Sequence, residues 1–302
     1  TKAVGDDAAS IDVLKIAVFK VDGEEGNQTL TYLPDVKTSI SDFSDVVGTN
    51  KRKVTATLVL AKGLTYRFAF WAQDNEYDAY TFDPATATVS INTEKVSANT
   101  NSGDAFYAST ENVEVTQSFN MNVTMKRPFA QVNFLTSEED LLNAKKAGFE
   151  PSTSSIKVAE VATKFNILEG TVGANVVEAT FKTNNLLKKD NDFESATING
   201  KKYYYMATAY ILPSSPTEKV TIDATMTLNG NSTIEAADID AQRNYRTNVY
   251  GDLLTTKGSF NVELVPGFDG EFNNELTNSQ PVYDEQGNEV DGVVILETDS
   301  EN

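Results

Sequence analysis

The chain has 302 residues, of which 40% are apolar, and this is enough to form the cores of two ordinary domains. It contains no cysteine and no histidine, which excludes disulfides, thiolate metal sites, cysteine nucleophiles and the commonest general base and metal ligand. Its net charge of −19 repels phosphate backbones and anionic membrane surfaces, so we expect no nucleic-acid partner.

Alternating apolar and polar residues predict β-strands in the first 127 residues. The patterns at 14–19 and 66–71 predict buried strands, and those at 54–60 and 119–125 predict strands with one buried face. Glycine can supply the positive φ of tight turns at Asp22-Gly23 and Lys62-Gly63. We therefore predict a mostly antiparallel β-domain over residues 1–127.

One short helix is predicted just after the domain boundary. Pro128 interrupts two strand-like runs, which places the boundary near Lys126. Ser137 can cap the helix and Gly148 can end it. The charged residues follow the order that a helix dipole favours, with Glu138, Glu139 and Asp140 in the first turn and Lys145 and Lys146 in the last. The apolar positions are Leu141, Leu142, Ala144 and Ala147.

Residues 128–265 are predicted to form a second β-domain. Its clearest strand patterns lie at 203–212, 220–228 and 243–255, with turns at Asn199-Gly200 and Asn229-Gly230. In the last pattern two sets of residues alternate, namely Tyr245, Thr247, Val249 and Leu253 with Arg246, Asn248, Tyr250 and Asp252. This alternation predicts a strand with one buried face.

The tail, residues 266–302, has ten acidic residues and no lysine or arginine. Such a composition is typical of a solvated, disordered segment. However, 281–283 and 290–296 flank a hairpin-like loop at 284–289, and the second flank ends in four aliphatic residues, Val293, Val294, Ile295 and Leu296. We therefore predict a C-terminal β-hairpin.

Several aromatic and acidic residues could be ligand-binding residues, and we weigh each against a structural role. Trp71 and the row Tyr203, Tyr204 and Tyr205 could stack on a sugar, but we expect core packing, with alternate tyrosine rings buried and exposed. Two acidic loops could offer oxygens to calcium, but neither has EF-hand spacing, and we expect surface turns: Asp22, Glu24, Glu25 and Asn27, and Asp190, Asp192 and Glu194. The sequence predicts no metal site and no cofactor.

Four stretches resemble the fimbrillin family, the subunits of type V pili in certain Gram-negative bacteria. They are RTNVYGDLLT at 246–255, RPFAQVNF at 127–134, YILP at 210–213, and TKAVGDD at 1–7 followed by LKIAVF at 14–19. The stretch at 246–255 resembles a signature near the end of the family's second domain, and that at 127–134 resembles the start of the same domain. The stretch at 210–213 resembles a strand end within it. The N-terminal stretches resemble the region that a trypsin-like protease matures.

The resemblance implies an all-β chain of two transthyretin-like β-sandwich domains in tandem, with the helix in the second. It also implies a non-enzymatic structural subunit for adhesion, exported as a lipoprotein precursor and held in a fimbrium at the outer membrane. The implied partners are other copies or related pilus subunits, the maturation protease and a host or bacterial surface ligand.

In the family, removal of the first strand opens a groove that an extended segment of a neighbouring subunit fills, which is strand exchange. By analogy, cleavage would fall after Lys2, so Lys2 and Ala3 are the candidate processing residues, unless Lys2 is an ordinary residue near the chain start. The candidate donor residues are Val290, Val293, Val294, Ile295 and Leu296. The same strand could instead fold back on its own domain.

Two other functions stay open at this point. One is a monomeric surface lipoprotein that binds glycan or host protein through its loops, and the other is a carboxylate-dependent glycosidase. No stretch approaches the roughly 18 apolar residues of a membrane span. Because the sequence starts at Thr1, we expect a processed or trimmed chain whose targeting signal lies upstream.

Overall fold

The structure is a computed structural model that describes residues 8–24, 26–189 and 192–255 and the strands at 260–265, 272–276, 282–283 and 289–290. Within these residues the chain is mostly β, with one α-helix, α1 (Glu138–Lys146), and one short 3-10 turn, Asn101–Gly103. The predicted all-β class with a single short helix is therefore confirmed.

The strands of the first half are β1 (Val13–Asp22), β2 (Thr29–Tyr32), β3 (Thr38–Ile40), β4 (Ser44–Asp45), β5 (Arg52–Lys53), β6 (Ala56–Leu58), β7 (Leu64–Gln73), β8 (Tyr80–Asp83), β9 (Thr88–Ile91), β10 (Ala105–Ser109) and β11 (Val113–Val115). Those of the second half are β12 (Ala130–Ser137), β13 (Thr153–Ala162), β14 (Lys164–Asn166), β15 (Thr171–Val172), β16 (Val176–Asn185), β17 (Lys188–Lys189), β18 (Asp192–Phe193), β19 (Ser195–Ile198), β20 (Lys201–Ile211), β21 (Val220–Leu228), β22 (Ser232–Ala241), β23 (Arg246–Gly251), β24 (Phe260–Val265), β25 (Phe272–Leu276), β26 (Val282–Tyr283) and β27 (Glu289–Val290).

The N-terminal sheet has the antiparallel order β10-β7-β1-β2, and β11 also pairs with β7. Both faces of its central strands are apolar, which explains the near-continuous apolar runs in β1 and β7. Ala17 and Phe19 point into a central core, whereas Leu14 and Val18 point to the other face. The buried strands predicted at 14–19 and 66–71 are therefore confirmed.

The opposite face of this sheet carries a second hydrophobic cluster, which we call the outer cluster. Its buried members are Ile11, Leu14, Val18, Tyr66, Phe68, Phe70, Ala72, Ala108 and Val115. It is covered by residues 33–60, which form the small hairpins β3–β6 and β4–β5, and by residues 123 and 125. The strand predicted at 119–125 is wrong, because no strand forms there and the backbone pairs only at Lys126, with Tyr107.

The second half forms a sandwich of a six-stranded sheet, β19-β20-β12-β23-β24-β25, and a four-stranded sheet, β16-β13-β21-β22. Apolar side chains from both sheets meet in the central core, among them Phe134 and Met206 from the first and Ile156 and Met226 from the second. All pairings in the two sheets are antiparallel except that of β12 with β23, which is parallel.

A four-stranded sheet, β15-β14-β9-β8, joins the two halves, since β9 precedes the boundary predicted near Lys126 and β14 follows it. The central core crosses that boundary too. Trp71 and Tyr80 from the first half contact Phe129 from the second, with ring centroids 6.2 Å and 5.0 Å apart. The division into domains at 1–127, 128–265 and 266–302 stays a prediction, and the two halves share one core.

The helix has the termini that the sequence predicts. The hydroxyl of Ser137 accepts a hydrogen bond from the amide of Asp140 at 3.1 Å. At the other end Gly148 has φ +85°, and the amides of Gly148 and Phe149 donate back to the carbonyls of Lys145 and Ala144. Of its apolar residues, Leu141 and Ala144 are buried, whereas Leu142 is 52% exposed.

Two predictions about burial are wrong for the same reason. Every residue of β23 is buried, including Arg246, Asn248 and Tyr250, which the alternation places on a solvent face. Tyr203, Tyr204 and Tyr205 are likewise all buried, although their predicted role in the core is confirmed. Both β20 and β23 are interior strands of the six-stranded sheet, and both of their faces are covered.

The tail shows the start of the predicted hairpin, because β26 pairs antiparallel with β27 through Val282 with Val290 and Tyr283 with Glu289. Residues 291–302 lie outside the described residues. No helix in the described part of the chain is long and apolar enough to cross a membrane.

Candidate assembly site

Three of the four stretches that carry the fimbrillin resemblance, 127–134, 210–213 and 246–255, meet in a buried polar network. Parallel pairing of β12 with β23 places Gln131 beside Arg246 and Asn133 beside Asn248. The Nε of Arg246 donates to Oε1 of Gln131, and Nδ2 of Asn133 donates to Oδ1 of Asn248 at 2.9 Å. Nε2 of Gln131 donates to the hydroxyl of Tyr210 at 2.9 Å. All five side chains are buried, so these residues hold the centre of the sheet together.

A buried ion pair extends this network into the first half. The Nε of Arg127 lies 2.9 Å and 2.8 Å from the two carboxylate oxygens of Asp104, and the two side chains are only 7% and 1% exposed. Burial raises the pKa of Asp104 above its usual value, while the Arg127 guanidinium opposes this shift. Burial also raises the pKa of Tyr210, so this phenol stays neutral.

The helix α1 fixes the end of the stretch RTNVYGDLLT at 246–255, which carries the fimbrillin resemblance. The carboxylate of Asp140, 2% exposed, accepts from the amide of Leu254 at 2.7 Å and from the hydroxyl of Thr255 at 2.6 Å. The hydroxyl of Thr136 donates to the same carboxylate. These contacts and the buried network give the signature residues structural roles, and sequence reasoning missed both arrangements.

The most distinctive surface feature is an open edge on β1. On one side, β1 pairs with β7 from Val13 to Val21. On the other side, β2 pairs only with the last four residues of β1, from Phe19 to Asp22. The amide of Leu33 donates to the carbonyl of Val18 at 2.9 Å. On that side, residues 13–17 have no strand partner in the part of the chain that the structure describes.

The direction of the free backbone groups follows from the pairing. The carbonyl of Val18 points towards β2, and backbone groups alternate in direction along a strand. The amides and carbonyls of Leu14 and Ile16 therefore point into the open edge. An edge with unpaired backbone groups is a template for another strand.

The outer cluster next to this edge is incompletely covered. Among the described residues, this cluster has 9 buried and 14 partly buried apolar residues. The central core has 46 buried residues and only 9 partly buried ones. Of the eight large apolar residues that are exposed in the described part of the chain, five lie in or next to the segments that cover this cluster, namely Ile40, Val47, Val59, Phe119 and Met121. Leu14 and Ile16 of the open edge belong to this cluster, so the open edge borders the less completely buried of the two cores.

The other predicted ligand residues do not form a site. Trp71 is fully buried, and its Nε1 donates to Gln73 at 2.7 Å. Asp22 is bound by Lys20 at 2.6 Å, and no group of three or more acidic side chains is placed to hold a metal ion in the described ranges. An open groove of about 310 Å³ is lined by residues 109–113 and 121–124 and contains one carboxylate, Glu111, whereas glycoside hydrolysis uses a pair.

Of the predicted assembly residues, only Val290 lies in the described part of the chain, where it forms part of β27. Val293, Val294, Ile295, Leu296, Lys2 and Ala3 lie outside the described residues, as do Glu25 and Asp190 of the acidic loops. Their roles stay predictions.

No curated protein matches this sequence. The solved structures that are similar to it include a fimbrial assembly protein from Parabacteroides distasonis, with 13% identity, a TM-score of 0.41, and coverage of 89% of this chain and 95% of that chain. A candidate cell adhesion protein from Bacteroides uniformis has 13% identity, a TM-score of 0.40, and coverage of 91% and 95%. A candidate adhesin from Bacteroides thetaiotaomicron has 10% identity, a TM-score of 0.42, and coverage of 85% and 89%.

These likenesses are too distant to transfer any property of those proteins to this chain. A family model, in contrast, matches residues 14–291, which is most of the sequence. The chain therefore belongs to the family described as "Family of unknown function (DUF6562)".

Proposed function

We propose that this chain is a non-enzymatic structural subunit of surface fimbriae that assembles by strand exchange and serves adhesion. The observation that carries the proposal is the open edge of β1 beside the incompletely covered outer cluster. The fimbrillin resemblance at 1–7 and 14–19 supports it, because the strand lost on maturation would precede β1. Export as a lipoprotein precursor and attachment at the outer membrane belong to the same proposal.

In this mechanism an extended segment of a second copy pairs with residues 13–17 and lays alternate side chains on the outer cluster. Each aliphatic side chain that becomes buried contributes about 1.5 to 3 kcal/mol before the cost of ordering the segment. The proposed donor is the tail strand with Val290, Val293, Val294, Ile295 and Leu296. In the monomer, that strand would compete for the same edge or fold back on its own sandwich.

The test measures mass by light scattering, before and after limited trypsin treatment, across a range of protein concentrations. We expect ladders of oligomers from the full chain and none from a chain that lacks residues 281–302. Ile16→Pro should also block assembly, because it removes an amide that faces the open edge rather than one that pairs with β7.

Ile16→Val is the matched control, since it keeps the amide and should assemble. If the full chain stays monomeric while binding a glycan or a host protein, the alternative of a monomeric surface lipoprotein replaces this proposal. If Ile16→Pro assembles as the parent does, the open edge of β1 is not the acceptor.

A further inference from the structure

The open edge of β1 carries a lysine, Lys15, with which no described carboxylate forms an ion pair. Lys15 lies in the middle of residues 13–17 and is directly opposite Trp71 of β7, on the face of the sheet that points to the central core. It is partly buried, and burial lowers the pKa of its ammonium group. Within the described residues, no hydrogen bond or ion pair reaches this side chain.

A second set of basic residues is fixed next to the start of the same strand. The guanidinium of Arg52 donates to the carbonyls of Ala9, at 3.2 Å, and Ile11. Its neighbours Lys51 and Lys53 are exposed, and no described carboxylate forms an ion pair with them. This contact holds the run Lys51-Arg52-Lys53 beside the N-terminal end of β1.

Two carboxylates near this end of β1 already have partners. Asp45 is bound to the Nε of Arg52 at 3.2 Å, and Asp12 accepts from the amide of Asn75 at 2.7 Å. Lys15, Lys51 and Lys53 form no ion pair with a carboxylate among the described residues, on a protein whose net charge is −19. The open edge and the residues beside it therefore carry three lysines whose ammonium groups no described carboxylate contacts.

The chain also contains a segment of opposite charge. Residues 266–302 have ten carboxylates and no lysine or arginine, so a strand from this tail brings only negative charge to its acceptor. We propose that the open edge of β1 selects the acidic tail of a second copy by charge, with Lys15 setting the register by facing a tail carboxylate. This inference rests on the proposed function.

The register argument follows from sheet geometry. A strand that pairs with residues 13–17 places every second side chain on the Lys15 face, with Cβ atoms about 4.5 to 5.5 Å apart in directly opposed pairs. A slip by one residue moves the tail carboxylates to the other face, where they meet the outer cluster instead. Lys51 and Lys53 lie outside the pairing and act at longer range, on the rate of encounter.

The direct test is zero-length carbodiimide cross-linking of the trypsin-treated full chain, followed by mass spectrometry. We expect the Lys15 amine to be joined to a carboxylate within residues 266–302 in oligomers, and not in the monomer fraction. Mixing isotopically heavy and light copies shows whether the two residues come from different chains. A link within one copy, or none at Lys15, would overturn the inference.

Variants give an independent readout in the same assembly assay. Lys15→Met should weaken association about threefold to tenfold, and Lys15→Glu should weaken it further. The double variant of Lys51→Met and Lys53→Met should slow association and flatten its dependence on salt, with little change in dissociation. Lys62→Met is the matched control, because Lys62 is exposed in a turn away from the open edge.

The two levels of the proposal fail in different ways. If the unaltered chain forms no oligomers, strand exchange itself is wrong. If it forms oligomers that Ile16→Pro abolishes but Lys15→Met and Lys15→Glu leave unchanged, the open edge is the acceptor and charge selection is wrong.

Discussion

Arg127 and Asp104 form an ion pair inside the protein, in contact with both halves of the chain. Arg127→Met leaves the Asp104 carboxylate buried without its cation, so we expect a loss of about 3 to 5 kcal/mol in the free energy of unfolding at pH 7. Urea denaturation measures this loss. The double change Arg127→Met with Asp104→Leu should recover a large part of it.

The loss in the free energy of unfolding that Arg127→Met causes should shrink as the pH falls. Burial already raises the pKa of Asp104, and removal of Arg127, which lowers it, raises it further. Between the ordinary and the raised pKa the folded variant keeps a proton that the unfolded chain releases, so its stability falls as pH rises through this window. Lys95→Met, which breaks the exposed pair with Asp78, is the control and should leave the urea midpoint almost unchanged at each of these pH values.

At the scale of elements, α1 acts as a clamp for the segment after β23. Asp140→Ala removes the acceptor for the amide of Leu254 and the hydroxyls of Thr136 and Thr255. We expect a loss of about 1 to 3 kcal/mol and faster hydrogen exchange at the Leu254 amide. Glu139→Ala changes an exposed carboxylate of the same turn and should leave that exchange rate unchanged. Equal exchange in both variants would contradict the clamp.

Elements with local signals were predictable from the sequence. The helix α1 was predictable because Ser137 and Gly148 fix its two ends within a few residues. The strand β21 was predictable because its alternate residues meet the core directly. Burial of β23 was not predictable, since it depends on β12, which lies far away in sequence and covers one side of the strand. The polar residues Arg246 and Asn248 look solvent-facing until their partners on β12 are known.

The candidate site was predictable only in part. The candidate processing residues Lys2 and Ala3 follow from the resemblance at 1–7, and the tail hairpin follows from its flanking apolar residues. The open edge at 13–17 and the basic residues beside it depend on where β2 stops and on how Arg52 contacts Ile11. Neither leaves a periodic pattern in the sequence.

At the scale of the whole molecule, the shared core predicts one cooperative unfolding transition. Trp71 is fully buried against Phe129, so a chain of residues 1–127 alone should expose this tryptophan and shift its fluorescence to the red. In the full chain, tryptophan fluorescence and far-ultraviolet circular dichroism should give coincident transitions. Two separate transitions, or a fragment that unfolds cooperatively, would show that the halves are independent.

The parallel pairing of β12 with β23 also bears on how the protein is made. Asn133 and Asn248 bond to each other across 115 positions, so the centre of the largest sheet closes only when these distant segments meet. Contacts of such long range slow folding. During synthesis, β12 waits unpaired on that side until most of the polypeptide has left the ribosome. The largest sheet is therefore completed late in synthesis, after the N-terminal sheet has all of its strands available.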